Sequence, residues 1–327
     1  MKKLLLLPLL AVLAAMALSG CITSNDSQNT VRIGYLPIVA SLPLYVSQEK
    51  GFFEEQGITV EATQFQSSNA LVEALVAGKI DAIAETSAVP ALAAEAISPG
   101  KLKFFSTSDI TEQAPFDNII VLKNSTISSL EELEGKKIGV FPGSTATFFL
   151  KKFLKDNGIG VTGIQFVQLP PQNQLAALQA GSVDALHSYE PTTTIALEAG
   201  IAKSLYGSVY AKILNHNPQG AGVISTKFIA EKPELAKKAV AAFDKTFDYM
   251  QSNEQDVREN IIPKYAKLSP QVAGKVVLLY MSRSDKINVE ALQSYADLLF
   301  EMGELKQKVN VSQMVYSAKK SSQKEAS

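Results

Sequence analysis

The stretch ALVAGKIDA at residues 74–82 returns as ALQAGSVDA at residues 177–185. Six of the nine positions are identical, and Ile80 keeps its β-branched apolar character as Val183. In the first copy Leu71, Val72, Leu75 and Val76 fall at helical spacing and form an apolar stripe. Asn69 stands where a side-chain oxygen can accept from a free N–H at a helix start. Gly78 follows the last apolar position, where a left-handed residue commonly ends a helix. Ile80-Asp81-Ala82-Ile83-Ala84 then reads as a short buried strand, and Leu175, Leu178, Gly181 and Val183-Asp184-Ala185-Leu186 repeat the grammar.

The likeness extends upstream: Arg32-Ile33-Gly34-Tyr35-Leu36-Pro37 aligns with Lys137-Ile138-Gly139-Val140-Phe141-Pro142. Each half therefore runs strand, helix, strand, helix, strand. The first half places these at 31–36, 43–56, 58–65, 69–77 and 80–85; the second at 137–141, 145–157, 164–169, 172–180 and 183–188. Strands alternating with helices predict a parallel sheet covered on both faces. Two such units predict an α/β protein of two lobes; one continuous doubly wound sheet is the alternative. From about Lys232 the pattern is helix only. Pro233 can open a helix whose Leu235, Ala239, Val240, Phe243, Phe247 and Met250 share a face, with further helices near 254–267, 270–282 and 289–303.

The ends of the chain read differently. Lys2 and Lys3 precede an apolar run at 4–18. That run is shorter than the roughly 20 residues a membrane span needs and suits a secretory signal. Leu18-Ser19-Gly20-Cys21 resembles the bacterial lipoprotein signal box. The resemblance implies cleavage after residue 20, lipid (palmitate included) on Cys21, a tether at 21–30, and an extracytoplasmic protein anchored to the cell membrane. That place is the periplasm or the outer face of the membrane. An ordinary signal peptide or an uncleaved anchor is the alternative. The polar segment 317–327 reads as a frayed tail.

Composition and failed motifs narrow the function. The 31 basic and 32 acidic residues give a net charge of −1 with no basic stripe, which excludes nucleic acid as a partner. Cys21 is the single cysteine, so no disulfide or cysteine metal site is expected. Gly158-Ile159-Gly160-Val161-Thr162-Gly163 spells a dinucleotide fingerprint, but it leaves a helix and enters a strand, the reverse of what a pyrophosphate site needs. His187 and His216 are the two histidines and show no metal-ligand pairing. Gly143-Ser144-Thr145 is not a nucleophile elbow. No cofactor, metal or catalytic group is expected.

Pro43-Leu44-Tyr45-Val46, Glu49-Lys50-Gly51-Phe52-Phe53 and Gly57-Ile58-Thr59-Val60-Glu61 carry a family resemblance, together with the 75–82 block and Leu133-Glu134-Gly135-Lys136-Lys137-Ile138-Gly139. Residues 31–242 resemble the substrate-binding proteins of ABC importers in the nitrate/sulfonate/taurine and thiamine-pyrimidine-precursor family. The resemblance implies a two-lobe type II periplasmic binding protein fold with two crossover strands and extra C-terminal helices. Lobe 1 would begin in 31–118, lobe 2 would occupy 119–220, and 221–316 would return to lobe 1 and the C-terminal helices. The crossovers are expected at 118–123 and within 207–225. The implied function is capture of a small polar organic molecule or anion, sulfonate/nitrate-like or pyrimidine/amine-like, by a monomer. Permease and ATPase would be other chains. Two further readings stand beside it. One is a thiamine-pyrimidine biosynthetic enzyme on the same fold, for which the chain lacks a histidine and cysteine cluster. The other is a ligand sensor docking on a membrane receptor.

The resemblance places the ligand on loops at strand ends, where helix N-termini offer free N–H groups and positive partial charge. The candidates on lobe 1 are Ser41, Leu42, Ser67, Ser68, Asn69, Glu85, Thr86 and Ser87; on lobe 2 they are Gly143, Ser144, Thr145, His187, Tyr189 and Glu190. The Ser, Thr and Asn residues serve equally well as helix caps. Arg32, Arg258 and Arg283 are the only arginines and none falls on these loops, so a bidentate clamp on an anion is not expected. Glu85 and Glu190 favour an amine or a heterocycle with N–H donors; a surface or capping role is the alternative. With no Trp, ring stacking would fall to Tyr35, Phe116 or Tyr189.

Overall fold

The computed structural model describes residues 28–214, 216–279 and 281–316. The signal segment, Cys21 and the tail at 317–327 lie outside the described residues. One five-stranded sheet has the order β2-β1-β3-β10-β4, from β1 (Thr30–Tyr35), β2 (Thr59–Gln64), β3 (Ala82–Ser87), β4 (Leu102–Ile110) and β10 (Asn217–Ser225). The other has the order β7-β6-β8-β5-β9, from β5 (Asp117–Leu122), β6 (Lys137–Val140), β7 (Gln165–Gln168), β8 (Ala185–Tyr189) and β9 (Ala202–Tyr206). There are thus two lobes, each with its own sheet, and not one continuous sheet.

The repeated halves form the parallel cores β2-β1-β3 and β7-β6-β8. The sheets as wholes are mixed, which corrects the parallel expectation. β10 runs antiparallel between β3 and β4, and β5 runs antiparallel between β8 and β9. Each of these strands arrives from the other lobe and enters at the carboxyl end of its neighbour: Asp117 pairs with Tyr189, and Gly220 with Ser87. Entry from that end forces the reversed direction. The links between lobes are residues 111–116 and 207–216, and the stretch expected as the outward crossover belongs to the second sheet.

The conserved grammar of the two copies has a physical cause. Asp81 Oδ2 accepts the backbone N–H of Arg32 at 2.9 Å, while the Arg32 carbonyl accepts the N–H of Asp81 at 2.8 Å. Asp184 and Lys137 make the same pair of bonds, both at 2.8 Å. The aspartate therefore staples the third strand of each unit to the first. A Cβ at Gly34 would lie 2.5 Å from Leu71 Cδ2, and one at Gly139 would lie 2.5 Å from Leu186 Cδ2. Side chains from the same repeat fill the space that both glycines leave.

Three local expectations are corrected. The helix expected at 43–56 is two, Leu42–Glu49 and Phe52–Glu55, because Gly51 takes φ 72° between them. Ser67, not Asn69, caps the helix Ser68–Val76, accepting from the Ala70 N–H at 3.2 Å. The helix expected at 270–282 is a single turn, Pro270–Ala273. Beyond it the chain runs beside β4, where the Ser282 N–H bonds the Thr107 carbonyl at 2.7 Å and Met281 bridges Ser108. Val315 bridges Phe104 on the same strand, so the exposed edge of β4 is covered. The helix Pro233–Ser252 buries the predicted apolar face, with Phe243 stacked on Phe105 at 4.9 Å between centroids.

Candidate functional site

The carboxyl ends of β1, β3 and β8 meet at a cavity between the lobes. Ser68, Asn69, Glu85, Thr86 and Ser87 line it from one side, and Phe141, Thr145 and Tyr189 from the other. Phe116 and Tyr210 from the two links complete the walls, with Gln219, Gly220 and Leu279. About 60 Å³ is left free. That is room for several waters or one small ring, since one water needs roughly 10–15 Å³ by the same measure.

The lobes are shut over this space. Ser87 Oγ lies 3.4 Å from Thr145 Oγ1, and the Ser144 N–H donates to Asn69 Oδ1 at 3.4 Å. The Val39 N–H donates to the Glu190 carbonyl at 3.5 Å. Gly143 has φ 110°, and a Cβ there would lie 2.8 Å from Asn69 Oδ1, so both backbone freedom and clearance require glycine.

Glu85 is 1% exposed. The Ser108 hydroxyl donates to its Oε1 at 2.5 Å, while Oε2 has no partner. Burial pushes this carboxyl up to about 8, against which the Ser108 bond acts weakly. A Cβ on Gly220 would lie 2.0 Å from Glu85 Oε1 and 2.1 Å from Ser108 Oγ, so the pair occupies the space of a missing side chain. Thr86 Oγ1 is likewise buried without a partner. Gln219 donates from Nε2 to Ser87 Oγ at 3.1 Å and accepts from the Tyr295 hydroxyl. A polar chain thus runs from the helix Val289–Glu301 through the cavity wall to Thr145 on the opposite lobe. The rings of Phe141 and Tyr189 stack with centroids 5.2 Å apart, Phe116 lies 5.6 Å from Tyr189, and the Tyr189 and Tyr210 hydroxyls are hydrogen-bonded.

Of the residues expected from sequence, Ser68, Asn69, Glu85, Thr86, Ser87, Thr145 and Tyr189 come together on the cavity. The other seven do not line it. Ser41 accepts the Leu36 N–H at 3.1 Å, Leu42 is buried at its helix start, and Ser67 is spent on its cap. Gly143 and Ser144 touch Asn69 at the rim. His187 is fully buried with Nε2 2.8 Å from Asp117 Oδ2, and Asp117 also holds the Ser208 hydroxyl and the Val209 N–H. Glu190 is 2% exposed, accepts from the Thr194 hydroxyl at 2.9 Å, and is pushed up to about 7 by burial. Leu36, Phe141, Tyr210, Gln219 and Leu279 were missed. Leu36 and Phe141 occupy equivalent places in the repeat, a signal that could have found both. Tyr210, Gln219 and Leu279 have no counterpart in it.

Two α/β lobes, linked twice and closed on a cavity at their strand ends, define the type II periplasmic binding protein fold. The chain belongs to the NMT1-like family, whose sequence profile matches residues 24–262. A Bacillus subtilis (strain 168) relative named for aliphatic sulfonate binding is 28% identical over 324 residues, 96% of this chain and 95% of that one. One from Escherichia coli (strain K12), named for the same ligands, is 26% identical and covers 90% and 91%. The solved alkanesulfonate-binding protein SsuA of Xanthomonas axonopodis pv. citri, bound to MOPS, superposes with a TM-score of 0.72 at 22% identity, over 88% of this chain and 98% of that one.

Proposed function

We propose that this chain is the extracytoplasmic substrate-binding component of an ABC importer. It captures a small polar organic molecule between its lobes and presents it to a permease whose ATPase is a separate chain. The observation that carries this reading is the cross-lobe contact of Ser87 with Thr145, and of Asn69 with Ser144, over a cavity walled from both sides. A ligand there contacts both lobes only when they are shut, so it favours the shut form by its difference in affinity between the two forms. The protein acts as a monomer, and lipid on Cys21 holds it at the membrane. Among the described residues no helix is long and apolar enough to cross a membrane. The relatives named for sulfonate binding support a binding role without catalysis.

The test is a melting-temperature screen followed by small-angle scattering. A ligand that binds the folded form raises apparent stability with its concentration. Alkanesulfonates, nitrate, aliphatic amines and aminopyrimidines form the panel. A stabilising compound should also shift the scattering curve toward the compact form; stabilisation with an unchanged curve at every concentration refutes the capture mechanism.

A further inference from the structure

We propose that the cavity takes a small flat molecule presenting an N–H donor, as an amidine or an aromatic amine does, to the free oxygen of Glu85 against the rings of Phe116, Phe141 and Tyr189. The proposal rests on the binding-protein reading above and specifies its ligand. It departs from the sulfonates for which the relatives are named.

Three observations carry it. First, Glu85 lines the cavity and its buried Oε2 has no partner, while its other oxygen is held by Ser108 and the site around it is cleared by Gly220. An unsatisfied buried carboxyl oxygen is costly unless a donor meets it, and none is supplied from within. Second, among the described residues no lysine, arginine or histidine lines the cavity, so nothing there balances an anion. The faces of its aromatic rings carry negative potential and favour a cation or an N–H edge. Third, each helix start that could hold an anion already has one N–H engaged. Ser67 takes the Ala70 N–H and Ser87 the Val89 N–H within their own helices, and Asn69 takes the Ser144 N–H from across the cleft.

Burial keeps Glu85 largely protonated at pH 7, its carboxyl being raised to about 8. Benzamidine and 4-aminopyridine are cations at pH 7, and a cation beside the carboxyl favours its ionised form, so their binding releases that proton. An anion does the opposite, drawing on the protonated form and taking up a proton as pH rises past 8.

The experiment is calorimetric titration of the full chain with benzamidine, 4-aminopyridine and ethanesulfonate at pH 7, in two buffers of different ionisation enthalpy. Benzamidine or 4-aminopyridine should bind with proton release, and ethanesulfonate should not bind. Glu85→Gln should weaken the N–H probes about tenfold or more and abolish the release. Ser108→Ala, which removes only the hydroxyl on Oε1, should weaken the same probes and gives a second variant should Glu85→Gln fold poorly. Ethanesulfonate binding that both variants leave unchanged overturns the ligand class and leaves the binding-protein reading standing. No binding by any probe, together with no stabilising compound in the wider panel, sinks both.

Discussion

The Asp184 carboxylate accepts the backbone N–H of Lys137 at 2.8 Å, and Asp81 repeats this on Arg32 at 2.9 Å in the other lobe. The two contacts differ in setting. Asp81 is 7% exposed and also binds the Arg32 guanidinium at 3.0 and 2.6 Å, whereas Asp184 is exposed. Asp81→Ala should therefore cost about 1.5–3 kcal/mol, the range for hydrogen bonds to charged groups, and the solvent-screened Asp184→Ala about 0.5–1.5 kcal/mol. Urea unfolding of the two variants checks the ranking. Equal losses would mean that burial of the first pair contributes nothing.

Gly220 is not at a positive φ, so its requirement is space alone. Gly220→Ala should cost about 1–3 kcal/mol, as overpacking in a tight interior does. Because the intruding methyl meets Glu85 and Ser108, affinity should fall with stability. An alanine variant melting like the parent would show that this carboxyl swings aside freely.

The buried carboxyls make stability depend on pH with a definite sign. Desolvation raises Glu85 to about 8 and Glu190 to about 7 from their ordinary 4.5. A folded value above the unfolded one means the folded state holds its proton longer. The associated stability is whole below about 4.5 and is lost as pH climbs to about 8. Unfolding measured at pH 5, 7 and 9 should show Glu85→Gln gaining on the parent as pH rises. A pH-independent difference between the two proteins would mean that Glu85 titrates normally.

Cys21→Ala should move the protein from the membrane fraction to the soluble extracytoplasmic fraction. Fractionation with labelled fatty acid reads this directly. Incorporation of label into the alanine variant would place the anchor elsewhere.

The repeat was legible because its causes are local. A helix stripe, a left-handed Gly78 or Gly181 and a stapling aspartate all lie within a few residues of one another. The reversed strands were not legible. Ile119, Ile120 and Val121 read like any buried strand, and only their arrival from the other lobe sets their direction. At the site, the residue types at the strand ends were readable but their aim was not. Ser67 and Ser87 are both caps, yet only Ser87 also faces the cavity. His187 precedes Tyr189 by two and shares its strand face, but lies one layer deeper against Asp117. Tyr210, Gln219 and Leu279 reach the cavity through the return link and the C-terminal region, which carry no repeat to align.

The two covalent links at 111–116 and 207–216 act on the lobes as paired pins act on a door. Twisting one lobe about the long axis would stretch one pin and slacken the other, leaving swing about the line between them as the cheap movement. A single separation, measured between dyes placed on opposite lips of the cleft, would then suffice to report the state of the whole molecule.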